Sequence, residues 1–311
     1  MEKRELKRNF NKLGLYVLIN QLLISGVALA YAFIYMTMVI IKNPYITENE
    51  YNSIFDKLFD SGMYMIIAVV IAFIPILILR KKEFFKYDLK VKESSINLKT
   101  IFTWIIVMLG VNFLSGYISV LIEYILNFIG YTSMPSMEVL ETSTTISMFA
   151  YTCVIAPVIE EFIYRGAILR YLENYGAKFA IMASSILFGF MHGNIVQIPA
   201  TILIGIVFGF VAKKYSIKIS ILLHMINNIF AEGYNYLINF DGAISNIVII
   251  VDIVIFILFI IIAIKNKEVV KNWSRDNRIE KGTLKYFFTS IVIILLLIYN
   301  VYTALIGIET I

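Results

Sequence analysis

Long uninterrupted apolar runs dominate this chain, with neither a 3.6-residue stripe nor a two-residue alternation along most of its length. A helix needs about 20 predominantly apolar residues to cross a bilayer. Segments 14–41, 62–79, 101–129, 146–168, 178–197, 199–213, 217–236, 246–264 and 286–308 approach or meet that length. Gly193, Asn194 and Pro199 interrupt the fifth and sixth. The pattern predicts an all-α fold, a polytopic membrane helical bundle of about nine transmembrane helices. It shows no internal repeat, low-complexity tract or separate soluble domain.

Composition agrees with a lipid surrounding. The 311 residues are 59% hydrophobic and 16% charged, with a mean hydropathy of +0.81. Soluble domains carry about 25% charged residues, so one aqueous core would not hide this much apolar surface. The net charge of +5 is concentrated in residues 1–12, 80–99, 213–218 and 265–285. The intervening loops 42–61, 130–145 and 231–245 are poorer in Lys and Arg. That alternation reads as topology, with membrane lipid as the partner and no nucleic acid. With nine spans, every basic segment falls on the side of the N-terminus, which the positive-inside rule places in the cytoplasm. The C-terminus is then extracellular. A basic start and the small residues Ala28 and Ala30 mimic a signal peptide, but the apolar run continues to Ile41, too long for a cleaved segment. Cys153, the single cysteine, allows no intrachain disulfide and reads as a small buried residue.

One apolar run raises a chemical question. The stretch APVIEEFIYRGAIL (156–169) contains Glu160, Glu161 and Arg165. Each charge at a membrane helix centre costs about 2.5–3.5 kcal/mol on insertion scales, so these groups need partners. Glu161 and Arg165 are one turn apart and can pair. Glu160 lies about 100° around the helix and needs a proton, water or a partner on another helix. The chain has 2 histidines, and both His192 and His224 fall in later apolar segments. Phe188 lies one turn before His192, and Asn228 one turn after His224. With inner membrane edges near Leu169, Met182 and Lys218, Glu160 would lie about 13 Å deep, His192 about 15 Å and His224 about 9 Å. Those depths allow one polar cavity open to the cytoplasm.

Glu-Glu-x-x-x-Arg (160–165), Phe-x-x-x-His (188–192) and His-x-x-x-Asn (224–228), in that order on membrane helices, resemble the CPBP family. This family comprises the type II CAAX prenyl endopeptidases and their bacterial relatives, also called the Abi family. The resemblance covers about residues 140–235. It divides the chain into N-terminal transmembrane helices (1–139), a catalytic helical core (140–240) and C-terminal transmembrane helices (241–311). It implies an intramembrane endopeptidase that uses Glu160 as general base on a water held between it and His192. His224 and Asn228 would donate to the oxyanion, Glu161 and Arg165 would hold the helix and orient the reacting groups, and Phe188 would pack beside the histidine. The substrate would be a peptide or lipid-modified protein at the cytoplasmic face, a prenylated CAAX tail among them. Bacterial relatives suggest peptide maturation or bacteriocin self-protection. The Ile-, Lys- and Asn-rich composition fits a low-GC bacterium, where prenylated substrates are less expected.

Relatives are often labelled metalloproteases, and Glu160, His192 and His224 would then be zinc ligands. The H-E-x-x-H spacing is absent, so the expectation is no metal cofactor. Two other classes compete: a non-proteolytic scaffold or regulator with the same fold, and a transporter relaying protons through Glu, Arg and His. The latter lacks a visible inverted repeat. Elsewhere, Glu123 and Asp252 are expected at the interface, Arg170 and Glu173 in solvent, and Trp104 and terminal Tyr residues in aromatic belts. Gly205 and Gly209 are expected to permit close helix packing.

Overall fold

In a bilayer every backbone N–H and C=O must find its partner inside the protein, which favours helices. The computed structural model describes residues 3–90, 94–134, 145–238 and 242–311, and helices fill most of them. In chain order they are α1 (Lys3–Lys42), α2 (Glu48–Asp60), α3 (Met63–Arg80), α4 (Leu98–Phe128) and α5 (Ile146–Tyr175). There follow α6 (Ala177–Met191), α7 (Gln197–Lys214), α8 (Ile217–Ile238), α9 (Ala243–Asp276), α10 (Thr283–Phe288) and α11 (Ile291–Ile306). A two-residue antiparallel pairing joins β1 (Tyr131–Thr132) to β2 (Glu309–Thr310).

Local chemistry sets the helix ends. Thr47 and Glu50 form a reciprocal capping box at the start of α2, satisfying two orphan donors. Asn97 and Thr145 cap α4 and α5 by accepting from the backbone of Thr100 and Met148. Gly193, at φ +58°, takes the left-handed conformation that stops a helix.

The protein is a multi-pass, all-α membrane protein. Among the described residues six helices, α1, α3, α4, α5, α7 and α9, are long and apolar enough to cross a bilayer, where the sequence pattern predicts about nine spans. The other three predicted segments are helical but fall short. Helices α6 and α11 have 15 and 16 residues, and α8 is diluted by His224, Asn227, Asn228 and Glu232. The expected span 178–197 ends at Met191 because Gly193 breaks it.

The basic segments gather at one end of the bundle. Lys7 reaches the Thr289 carbonyl at 2.9 Å, Asn9 the Tyr175 hydroxyl at 3.0 Å, and Lys178 the Ser274 hydroxyl at 2.6 Å. Ser94 bonds the Lys214 carbonyl there too. At the opposite end Thr145 bonds Asp60, and Ser119 bonds Val196.

Burial is uneven. Helix α6 packs between α5 and α7 with Phe179, Leu187 and Phe188 buried, whereas no residue of α9 is buried. Lipid accepts the outward apolar side chains of α9 as readily as a protein core would.

One peripheral expectation changes. Arg170 is buried instead of solvated, donating at 2.8 Å to Glu173 and at 2.8 Å to the Ala212 carbonyl. That carbonyl is one of the orphans at the end of α7, so the guanidinium meets a partial negative charge. Trp104 packs against Phe210, at 5.5 Å between ring centroids. Glu123 accepts from Thr132 and Ser133 and ties down the turn after α4. Cys153 is buried.

Candidate active site

Helix α5 carries the adjacent glutamates between two widened, π-helical turns, Tyr151–Ile155 and Phe162–Ile168. Pro157 accounts for the first, since its ring lacks an N–H and crowds the carbonyl one turn earlier. Such turns re-aim side chains and recur at functional sites. Here they flank the short α-helical piece Ala156–Glu161.

Glu161 is the hub. Its carboxylate takes Arg165 at 3.1 Å along the helix, and His224 Nδ1 at 3.0 Å and Ser220 Oγ at 2.5 Å from α8. Glu161 and Arg165 are fully buried. Arg165 also donates to the Gly205 carbonyl at 3.2 Å and lies 4.1 Å from the Phe188 ring centroid and 5.5 Å from that of Phe208. A buried guanidinium is thus met by a carboxylate, a carbonyl and two aromatic faces.

Glu160 points elsewhere. Its Oε2 is 3.7 Å from His224 Nε2, and its side chain keeps 19% of its surface accessible. The imidazole of His224 therefore stands between the two carboxylates, stacked on Phe208 at 4.8 Å. His192, the residue after α6, sits edge-on to Phe188 at 4.9 Å, and Phe188 is likewise edge-on to His224 at 5.7 Å. His192 Nδ1 is 2.9 Å from the Phe188 carbonyl.

These partners assign the tautomers. Glu161, paired with Arg165, only accepts, so His224 Nδ1 carries the proton. The Phe188 carbonyl only accepts, so His192 Nδ1 carries one as well. Each ring then keeps Nε2 as its working nitrogen. Asn228 spends one amide hydrogen on the Thr152 carbonyl at 2.8 Å and takes Asn227 on its oxygen at 3.2 Å. Its second amide hydrogen has no partner among the described residues.

Two layers result. Glu161, Arg165 and His224 are buried, while Glu160, His192 and Asn228 remain partly accessible. A zinc ion needs three or more such donors converging. Among the described residues no group of three or more His, Cys, Asp or Glu is placed to hold a metal. The Phe188 ring packs edge-on against both imidazoles.

Residues 142–230 match the family model described as Type II CAAX prenyl endopeptidase Rce1-like. This segment is a CAAX-protease-family domain. The match runs from before α5 into α8 and contains every motif residue from Glu160 to Asn228. No curated protein and no solved structure gives a significant match to the chain.

The cluster also includes residues that the motifs do not contain. Ser220 lies one turn before His224 on the same face of α8, a spacing that could have pointed to it. Phe208 and Gly205 are on α7 and offer no polar signal. Gly205 permits the close approach expected of it: an added Cβ would come 3.1 Å from Arg165 Nη2 and 3.1 Å from Ser185 Cβ. Asn112, outside the matched residues, donates to Asn227 at 2.5 Å and so extends the amide chain from α4 to Asn228.

Proposed function

We propose that the chain is an intramembrane endopeptidase that hydrolyses peptide bonds with water activated by Glu160 and His192. The observation that carries this reading is the imidazole of His224 held between Glu161 and Glu160. Ionised Glu160 and Glu161 against Arg165 leave one excess negative charge, and a proton on His224 cancels it. A neutral buried group is far cheaper than a charged one. With that proton on His224, Glu160 is a base and His224 Nε2 is a donor.

The step follows from those roles. Water oxygen attacks the scissile carbonyl carbon while Glu160 takes one of its protons and His192 Nε2 accepts from the other. The new C–O bond pushes the carbonyl electrons onto oxygen, which receives His224 Nε2–H and the second Asn228 amide hydrogen. Collapse breaks the C–N bond, and Glu160 returns its proton to the leaving amine. General acid–base catalysis of this kind contributes about 10²–10⁴-fold, and each oxyanion donor about 10²–10³-fold.

In this reading no metal takes part, so hydrolysis persists after exhaustive chelation; loss of activity restored by zinc would reject that. The basic end of the bundle faces the cytoplasm, with the C-terminus outside, as the gathered Lys and Arg segments support. The substrate is a membrane-associated peptide or lipid-modified protein segment.

The test compares membrane peptides from cells carrying the wild type and Glu160→Gln by mass spectrometry. A peptide that accumulates uncut only in the variant names the substrate. Identical peptide profiles, with the cellular role retained, would make the protein a scaffold.

A further inference from the structure

Four buried polar side chains lie outside the catalytic cluster. Asn20 and Gln21 on α1, Tyr164 on α5 and Asn300 on α11 are 0%, 5%, 0% and 2% exposed. The Asn20 Oδ1 and the Asn300 Nδ2 have no hydrogen-bond partner among the described residues, and Gln21 and the Tyr164 hydroxyl have none of good geometry there beyond their approach to each other. The Asn20 Nδ2 is spent on the Ala72 carbonyl of α3 at 2.6 Å. A native fold rarely leaves buried polar groups unpaired, and one that does calls for a bound partner.

These groups share one region. Gln21 stands beside the Tyr164 hydroxyl. Helices α1 and α11 run parallel: Asn11 accepts from the Val292 backbone at 3.0 Å, and Gly14 packs on Ile293. Two turns further on, on the same faces, come Gln21 and Asn300. Ser25 and Tyr299, 3.4 Å apart between hydroxyls, join the same two helices in this stretch. Tyr164 links the region to the active site. It lies one turn past Glu160, and its ring meets Phe188 at 5.3 Å.

The chemistry of the partner follows from the atoms. Amide oxygens, amide hydrogens and a phenol offer donors and acceptors together, and no charged side chain belongs to the set. An apolar occupant would leave them unsatisfied. Water, which makes two to four hydrogen bonds in such sites, satisfies them.

We infer that the space between α1, α5 and α11 binds ordered water through Gln21, Asn300 and Tyr164, and that this water supplies the hydrolytic site at Glu160. Binding stands on the side chains alone; the supply role rests on the proposed hydrolysis, which consumes one water for each bond cut. An N-terminal helix outside the CAAX-protease domain thereby serves its chemistry.

Radiolytic hydroxyl labelling of the full chain in nanodiscs, read by mass spectrometry, tests the binding without any substrate. Radicals born from bound water mark the side chain beside it even when that chain is buried. Tyr164 is expected to label at least ten-fold faster than Phe179 and Phe287, which are equally buried at 0% exposure in an apolar cluster. A Gln21→Leu/Asn300→Leu variant should bring Tyr164 down to the rate of those phenylalanines. Equal rates in the wild type overturn the site, whether or not the variant folds. Unchanged labelling in a folded variant does so as well.

The supply role has its own readout. Cleavage of the peptide that accumulates in Glu160→Gln cells should slow several-fold in the folded double variant. Full-rate cleavage by a variant that has lost Tyr164 labelling overturns supply while leaving the water site intact. If Glu160→Gln changes no peptide, hydrolysis itself fails, and the labelling result is unaffected.

Discussion

The Glu161 carboxylate holds His224 Nδ1 at 3.0 Å across 63 residues of chain, and the same carboxylate neutralises Arg165 at 3.1 Å. Removing it strands a guanidinium in a dry interior. Breaking a buried pair from one side costs about 3–5 kcal/mol, so Glu161→Ala is expected to lower the thermal midpoint in detergent sharply. Glu161→Leu combined with Arg165→Leu should recover much of that stability, since apolar replacement of a whole pair is often tolerated. Hydrolysis should stay lost because His224 no longer has its anchor. A double variant as unstable as Glu161→Ala would contradict this.

Glu160, its neighbour in sequence, is expected to behave in the opposite way. It bears no guanidinium and keeps access to solvent. Glu160→Gln should therefore unfold within a few degrees of the wild type while cleavage falls at least about 100-fold, the lower range for general acid–base catalysis. Thermal scans and cleavage assays on one preparation separate the two glutamates.

Asn112 acts on the site through Asn227, which it meets at 2.5 Å, and Asn227 in turn meets Asn228 at 3.2 Å. Asn112→Leu is expected to lower kcat about ten-fold, equivalent to roughly 1.4 kcal/mol, with KM little changed, because the Asn228 amide loses its fixed direction. A change in KM alone would assign Asn112 to substrate binding.

Glycines in similar apolar helices should respond differently to one added methyl. Gly205→Ala would press on Arg165, Ser185 and Phe188 at 3.1–3.2 Å, and overpacking of this kind costs about 1–3 kcal/mol. Gly233, in α8, has nothing within 4 Å of such a methyl. Gly233→Ala should be neutral or gain up to about 1 kcal/mol from helix propensity. Parallel thermal unfolding of the two variants checks the contrast.

Much of the site can be read from residue spacing. A charge amid apolar residues is conspicuous because lipid penalises it, and Glu161 and Arg165 must meet because one turn separates them. The order of the motifs likewise carries the family. Asn20, Gln21 and Asn300 escaped notice because single amides in long apolar runs resemble tolerated exceptions. Arg170 looked solvated because it stands near a helix end, and only the docking of α7 reveals the carbonyl that receives it.

The number of membrane-spanning helices was harder to read, for a physical reason. Lipid and protein interior are both apolar, so α6, packed on several sides, and α9, with no buried residue, present the same kind of run. Linear order therefore settled which residues are costly in a bilayer and which lie one turn apart. The rotation and depth of each helix against its neighbours decided that His224 faces both glutamates and that Phe188 stands against both imidazoles. Those quantities arise from contacts between distant segments, and no local period encodes them.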